Sequence, residues 1–325
     1  MSESQIFVDK KIASLYIRNI DSCNPLPEER NDSFHIENRC WRTKMKISIC
    51  NELFRDWPIE KLFKYVAQLG YDGVEIAPFT LADSVTEISH EKRKAIRRAA
   101  EKNGIEIIGL HWLLVKPEGL SINHPDEFIR IKTQEYMEAL IHFCADIGGK
   151  VLIHGSGHQR KVCEKCTFTE AWEWARESFE ACLETARKRN VMYCIEPLTK
   201  ASTNFINTSD EALRMVKEIR HPNFKVVFDC RSATAHEESV IGALLRALES
   251  RALYHVHIND ANGKGPGFGE TKFTPILRTL IENGYQRYIS VEVFDFDPDP
   301  ETVAGRSIGY LKGVLEALTN KAHKP

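Results

Sequence analysis

Four successive apolar runs end in residues that could share one ion: Glu196 in "VMYCIEP", Asp229 in "KVVFDC", His257 in "LYHVHI" and Glu292 in "YISVEVF". Three converging carboxylates repel one another, and their pKa values climb unless a cation holds them. One imidazole with three carboxylates is an N/O donor set suited to a divalent ion such as Mn²⁺, Mg²⁺ or Co²⁺. Such an ion, chelated by adjacent carbonyl and hydroxyl oxygens, acidifies the C–H beside the carbonyl and stabilises the enediolate. A carboxylate on one face of the substrate takes the proton, and one on the other face can return it. Glu196 and Glu292 are the expected acid/base pair. The chemistry is aldose–ketose isomerisation, or epimerisation next to a ketone.

The choice of His257 rests on alternation. In "ALYHVHIND", residues 252–260, His255, His257 and Asn259 share one face while Tyr254, Val256 and Ile258 share the other. Polar groups in so apolar a segment need partners, because an unpaired buried one costs a few kcal/mol. His257 lies nearer the C-terminal end of the run and is taken as the ligand. Other runs also end in polar groups: Glu75, His111-Trp112 and His154-Gly155-Ser156. Each alone has an ordinary explanation as a helix cap or a hydrogen-bonded core residue. Several at once point to a common centre.

Such a centre needs strands that aim at one place. Short β-rich runs recur at 46–50, 73–77, 105–111, 150–155, 191–197, 225–230, 253–258 and 288–294. Amphipathic stretches separate them, as in "IEKLFKYVAQLG" (59–70), which ends on a C-cap glycine, and "SHEKRKAIRRAAEKNG" (89–104), which opens on a capping serine. Eight strands alternating with helices over about 270 residues are the signature of a (β/α)8 TIM barrel, whose functional groups sit at the C-terminal strand ends. A doubly wound sheet is less suited, because "CNELFRDWP" after the first strand lacks the Gly-rich dinucleotide turn. Residues 45–325 are expected to form the single barrel domain. Residues 1–44 are polar, without sustained periodicity, and are expected to be an irregular extension.

Composition excludes several classes. The 325 residues are 42% hydrophobic and 28% charged with a net charge of −2, which gives no field for nucleic acid or an acidic membrane. No apolar run approaches a membrane span, and the N-terminus is too charged for a secretory signal. The nine cysteines are scattered, which suggests reduced thiols and a cytoplasmic location. "CEKC" at Cys163 and Cys166 has zinc-knuckle spacing without a second half, and two loop thiols is the preferred reading.

The chain resembles the sugar isomerase/epimerase branch of the xylose-isomerase-like TIM barrels, which also holds the ketose 3-epimerases and inosose dehydratases. The segments "GYDGVEIAP", "GLHWLL", "HGS", "IEPL…TNFINTSDEA", "VVFD", "HVHINDANGKGPGFGE" and "GYQRYISVEVFDF" carry the resemblance, over residues 45 to about 318. It implies one divalent ion on Glu196, Asp229, His257 and Glu292, with Mn²⁺ the first expectation and Mg²⁺, Co²⁺ or Zn²⁺ the others. It implies a sugar or polyol ketone as substrate, neither nucleic acid nor membrane as partner, and a dimer or tetramer. The Trp-rich helix "EAWEWARESF" would serve either as an interface or as core. Trp112 and Phe294 would pack on a sugar's apolar face, or serve as core aromatics.

The family's substrate grip is altered. Ser202, Ser232 and Gly263 stand where ketose 3-epimerases commonly carry a glutamate, a histidine and an arginine. Lys264 and the loop residues His158, Gln159 and Arg160 are candidate replacements. With His111, Trp112, His154, Asn259 and Phe294, Arg160 and Lys264 complete the expected substrate-binding set. The alternative activity is a metal-dependent lyase, a dehydratase acting on a keto-sugar, inosose or 3-keto-glycoside. An abasic-DNA endonuclease, also built on this barrel, would need further histidines and a basic face that this chain lacks. A non-catalytic barrel with a vestigial site is the remaining reading.

Overall fold

The structure is a computed structural model that describes residues 45–320; the expectation for residues 1–44 lies outside them. Eight strands, β1 (Lys46–Cys50), β2 (Gly73–Ile76), β3 (Glu106–Leu110), β4 (Val151–His154), β5 (Met192–Ile195), β6 (Phe224–Asp229), β7 (Leu253–Ile258) and β8 (Tyr288–Val291), pair in parallel in chain order. β8 pairs back to β1 and closes the barrel. The expected (β/α)8 barrel is the fold observed. Strands covered by helices outside and by one another inside are buried on both faces, hence their near-continuous apolar runs.

Local signals set the helix ends. α1 (Ile59–Leu69) stops at Gly70, whose φ of 86° only glycine adopts without cost. α2 (His90–Lys102) starts where the Ser89 hydroxyl accepts the Lys92 N–H. α3 (Glu127–Asp146) is followed by α4 (Phe168–Arg189) and α5 (Ser209–Ile219), each opened by a capping box, Thr167/Glu170 and Thr208/Glu211. α6 (Cys230–His236) and α7 (Val240–Glu249) lie between β6 and β7, where the sequence reading distinguished no helix. α6 has only seven residues and begins on Asp229 itself, whose carboxylate caps it, so no linker marks its start. α8 (Phe273–Glu282) and α9 (Pro300–Asn320) complete the ring. Trp172 of the Trp-rich helix is core: it is buried against Phe168 and Phe205, and its indole N–H donates to Glu218.

The barrel interior is apolar on one side only. Val151, Ile153, Cys194 and Val227 form a small cluster there, separate from the large core between barrel and helices. The other strands send in buried Ser48, Glu75, His255 and Ser290. Ser48 and Ser290 are register partners with bonded hydroxyls, and Ser290 also donates to Glu75. The expectation for one cysteine pair is corrected: Cys163 and Cys166 form a disulfide, brought together by a turn in which the Cys166 N–H donates to the Cys163 carbonyl. The five other described cysteines are free and buried.

Candidate active site

Side chains alternate along a strand, so a residue two places beyond an interior position also points inward. Glu196 follows Cys194 by two, Asp229 follows Val227, His257 follows His255, and Glu292 follows Ser290. Asp229 and His257 are register partners on adjacent strands. One donor atom from each of Glu196, Asp229, His257 and Glu292 lies within 4.8 Å of the others, and all four residues are buried. His257 Nδ1 is 2.5 Å from Glu196 Oε1 and 3.1 Å from Glu292 Oε2.

The electrostatics are those of a site built around positive charge. Burial pushes Glu196 up to about 7, and burial with the neighbouring Glu292 raises Asp229. Burial works against a charged His257, yet Glu292, Glu196 and Glu75 outweigh it and hold the imidazole well above its ordinary range. Glu196 Oε1 and His257 Nδ1 are buried, and neither has a polar partner outside this cluster. Two buried donor atoms without a partner outside the cluster, beside two more carboxylates, fit a divalent cation.

Glu75, noted in the sequence as a polar strand end but left out of the site, holds the histidine from behind. Its Oε2 is 3.1 Å from His257 Nε2, and its Oε1 is 2.6 Å from His255 Nε2. Burial opposes its ionisation, but His255 and His257 prevail and keep it well below the usual carboxylate range. A carboxylate on Nε2–H leaves the Nδ1 lone pair facing the cluster, the arrangement common behind metal-bound histidines. Asn259, expected to touch substrate, instead organises the donors. Its Nδ2 donates to Asp229 Oδ2 at 2.6 Å and to Glu292 Oε2 at 3.2 Å, while its Oδ1 accepts the Arg231 N–H.

The other expected substrate residues divide. Trp112 and Phe294 line the cavity above the cluster, edge to face with centroids 6.2 Å apart. His111 is buried beside it, bonded to Glu52 at 2.6 Å with its other nitrogen 3.9 Å from Glu75. His154 does not point into the cavity. It has the parity of Leu152, packs on Phe179 of α4 at 5.3 Å, and bonds the Tyr193 hydroxyl. Arg160 is fully buried, donating to the His154 carbonyl at 3.2 Å and the Glu196 carbonyl at 2.7 Å. It ties the ends of β4 and β5 together instead of gripping substrate. Lys264 is engaged by Asp297 and Asp295 and does not line the cavity.

Gly155 makes room for a donor: a Cβ there would lie 2.1 Å from Glu196 Oε2. The cavity, about 190 Å³, is walled by Trp112, Phe294, Thr199, Ser202, Arg231 and Ser232 above the three carboxylates. A larger cavity of about 460 Å³ lies at the N-terminal ends of the strands, among Lys46, Glu106, Lys150 and Tyr288. Barrel chemistry belongs to the C-terminal ends, where the donor cluster opens, so the smaller cavity is the candidate site.

Fold and site together define a (β/α)8 barrel with a three-carboxylate, one-imidazole cluster on its C-terminal rim. The profile of the xylose isomerase-like TIM barrel family matches residues 63–314, and the chain belongs to that family. Among curated relatives, D-psicose 3-epimerase of Ruminiclostridium cellulolyticum is 27% identical over 249 residues, 74% of this chain and 80% of the relative. The 3-dehydro-D-guloside 4-epimerase of Escherichia coli is 22% identical, covering 82% of this chain and 99% of the relative. Among solved structures, D-psicose 3-epimerase with D-tagatose from Clostridium cellulolyticum superposes with a TM-score of 0.72 at 22% identity, covering 84% of this chain and 99% of that one. No described helix is long and apolar enough to cross a membrane.

Proposed function

We propose that this protein is a divalent-metal-dependent sugar epimerase or isomerase that moves a proton on the carbon beside a ketone. The observation that carries the reading is the buried convergence of Glu196, Asp229, His257 and Glu292 beneath a monosaccharide-sized cavity. These four residues would hold one ion, Mn²⁺ by preference, through the carboxylates and His257 Nδ1. The ion, when bound, polarises the substrate carbonyl and so acidifies the adjacent C–H.

The chain's own residues then divide the work. Glu196 and Glu292 come from β5 and β8 and would flank the substrate, one removing the proton and the other returning it. Trp112 and Phe294 offer apolar faces to the ring and exclude water from it. Asn259 and Glu75 hold the donors in place. Epimerisation is favoured over elimination because the relatives are named as epimerases of ketoses and keto-sugars.

The test is metal analysis of the purified protein, followed by incubation with keto-sugars in D₂O with and without a chelator. Solvent deuterium appearing at one carbon with inversion, abolished by the chelator, is the expected NMR result. An unsaturated elimination product would replace the epimerase reading by a lyase.

A further inference from the structure

The cavity wall carries one guanidinium, and the proposed chemistry does not use it. Arg231 follows Asp229 by two residues in the first turn of α6 and lines the cavity with Ser202, Ser232 and Thr199. It is the only lysine or arginine among the lining residues. Its side chain is half-buried and has no hydrogen-bond or ion-pair partner among the described residues, and its Nε is shielded from solvent. Its guanidinium lies over the ring of Phe294, with the guanidinium carbon 4.9 Å from the centroid. Stacking on an aromatic face orients a guanidinium but leaves its N–H donors free.

The shielded Nε–H has no acceptor among the described residues, and a donor left unpaired away from water is costly. Besides the carboxylates, the polar side chains that line the wall are Ser202, Ser232, Thr199 and His158. The acidic groups lining the cavity are Glu196, Asp229 and Glu292, the set proposed to share an ion. With a divalent ion bound there, the three carboxylates, the ion and Arg231 cancel in charge. An entering anion would meet a cavity lining without net charge, with the buried Glu75 behind it, and a fork of free donors on the wall. The planar guanidinium matches the paired oxygens of a carboxylate or phosphate.

We propose that Arg231 binds the anionic group of the substrate, so that the substrates are acidic ketoses bearing a carboxylate or a phosphate. The inference rests on the ketose reading of the site and narrows it. Arg231 sets specificity. It takes no part in the proton transfer.

Isothermal calorimetry on the Mn²⁺-loaded full chain tests it with D-fructose, D-fructuronate and D-fructose 6-phosphate, which share a ketose frame and differ at the terminal group. Wild type, Arg231→Met and Arg231→Lys are compared, with circular dichroism to confirm that each variant folds. At least one anion is expected to bind about tenfold or more tightly than D-fructose, as suits a charge-assisted, bidentate contact. That ratio should collapse in Arg231→Met and be partly kept in Arg231→Lys. The anion that shows the effect tells carboxylate from phosphate. Binding of neither anion, or an anion preference unchanged in Arg231→Met, overturns the proposal. Deuterium exchange into the same ketoses, read by NMR, tests the ketose reading separately. Arg231-dependent anion binding without exchange would keep Arg231 as the anion contact and sink the ketose reading, and exchange without Arg231 dependence would do the reverse.

Discussion

Replacing Glu75 with Gln isolates the group behind the candidate metal centre. Glu75 is completely buried and accepts from His255 Nε2 at 2.6 Å, from His257 Nε2 at 3.1 Å and from the Ser290 hydroxyl. Gln keeps the shape, removes the charge, and offers one acceptor oxygen where there were two. Its NH₂ must then face one of the two imidazoles. If that is His257, Nε2 becomes the acceptor and the ring proton moves to Nδ1, inside the donor cluster, where it blocks coordination. If it is His255, His257 still exchanges a charge-assisted bond for a neutral one, a difference of about 1–2 kcal/mol. Either route predicts a loss of about 10- to 100-fold in Mn²⁺ affinity. Calorimetric titration of the metal-free protein measures it, and far-UV circular dichroism checks the fold. A folded Glu75→Gln protein that binds Mn²⁺ as tightly as wild type would refute the arrangement of Glu75, His257 and ion.

Three further outcomes follow from the groups around the cluster. Arg160→Met should destabilise the fold by about 1–3 kcal/mol, because the His154 and Glu196 carbonyls lose their buried donor; an unchanged urea midpoint would count against the clamp. Metal affinity should rise with pH, because an ion must displace the proton that burial holds on Glu196 up to about 7; below that pH each displaced proton weakens binding roughly tenfold per unit. The stability of the metal-free protein runs the other way. Glu196 titrates higher in the fold than the ordinary carboxylate value of 4.5, so its contribution is complete below that value and is lost as pH rises through about 7. Raised Asp229 and His257 push in the same direction. Melting temperatures at pH 6 and 8, with and without Mn²⁺, would show whether the metal-free form is the more alkali-sensitive one.

The strands were legible because each is a short apolar run punctuated by a capped helix, and the cluster because four runs end alike. Both His255 and His257 point inward, and only the outer one reaches Glu196 and Glu292. His154 shows what an end-of-strand rule misses. On β4 the inward positions are Val151 and Ile153, so His154 falls on the helix side, and the inward place beyond it is Gly155. Counting in twos from the strand interior would have separated it from Glu196. Asn259 and Lys264 are engaged by partners, Asp229, Glu292 and Asp297, that come from other strands and loops. No local pattern reports such pairings. Arg231 carried no periodic signal, as it sits in the abrupt strand-to-helix turn that the reading did not resolve.

The hydroxyls, carboxylate and imidazoles that fill half of the barrel's inside have an evolutionary consequence. Ser48, Ser290, Glu75, His255 and the Nε2 of His257 pair with one another, so replacing any one by an aliphatic residue strands its neighbours in a place that water cannot reach. These five positions can therefore drift only as a set, whereas the opposite wall of Val151, Ile153, Cys194 and Val227 is free to exchange one branched side chain for another.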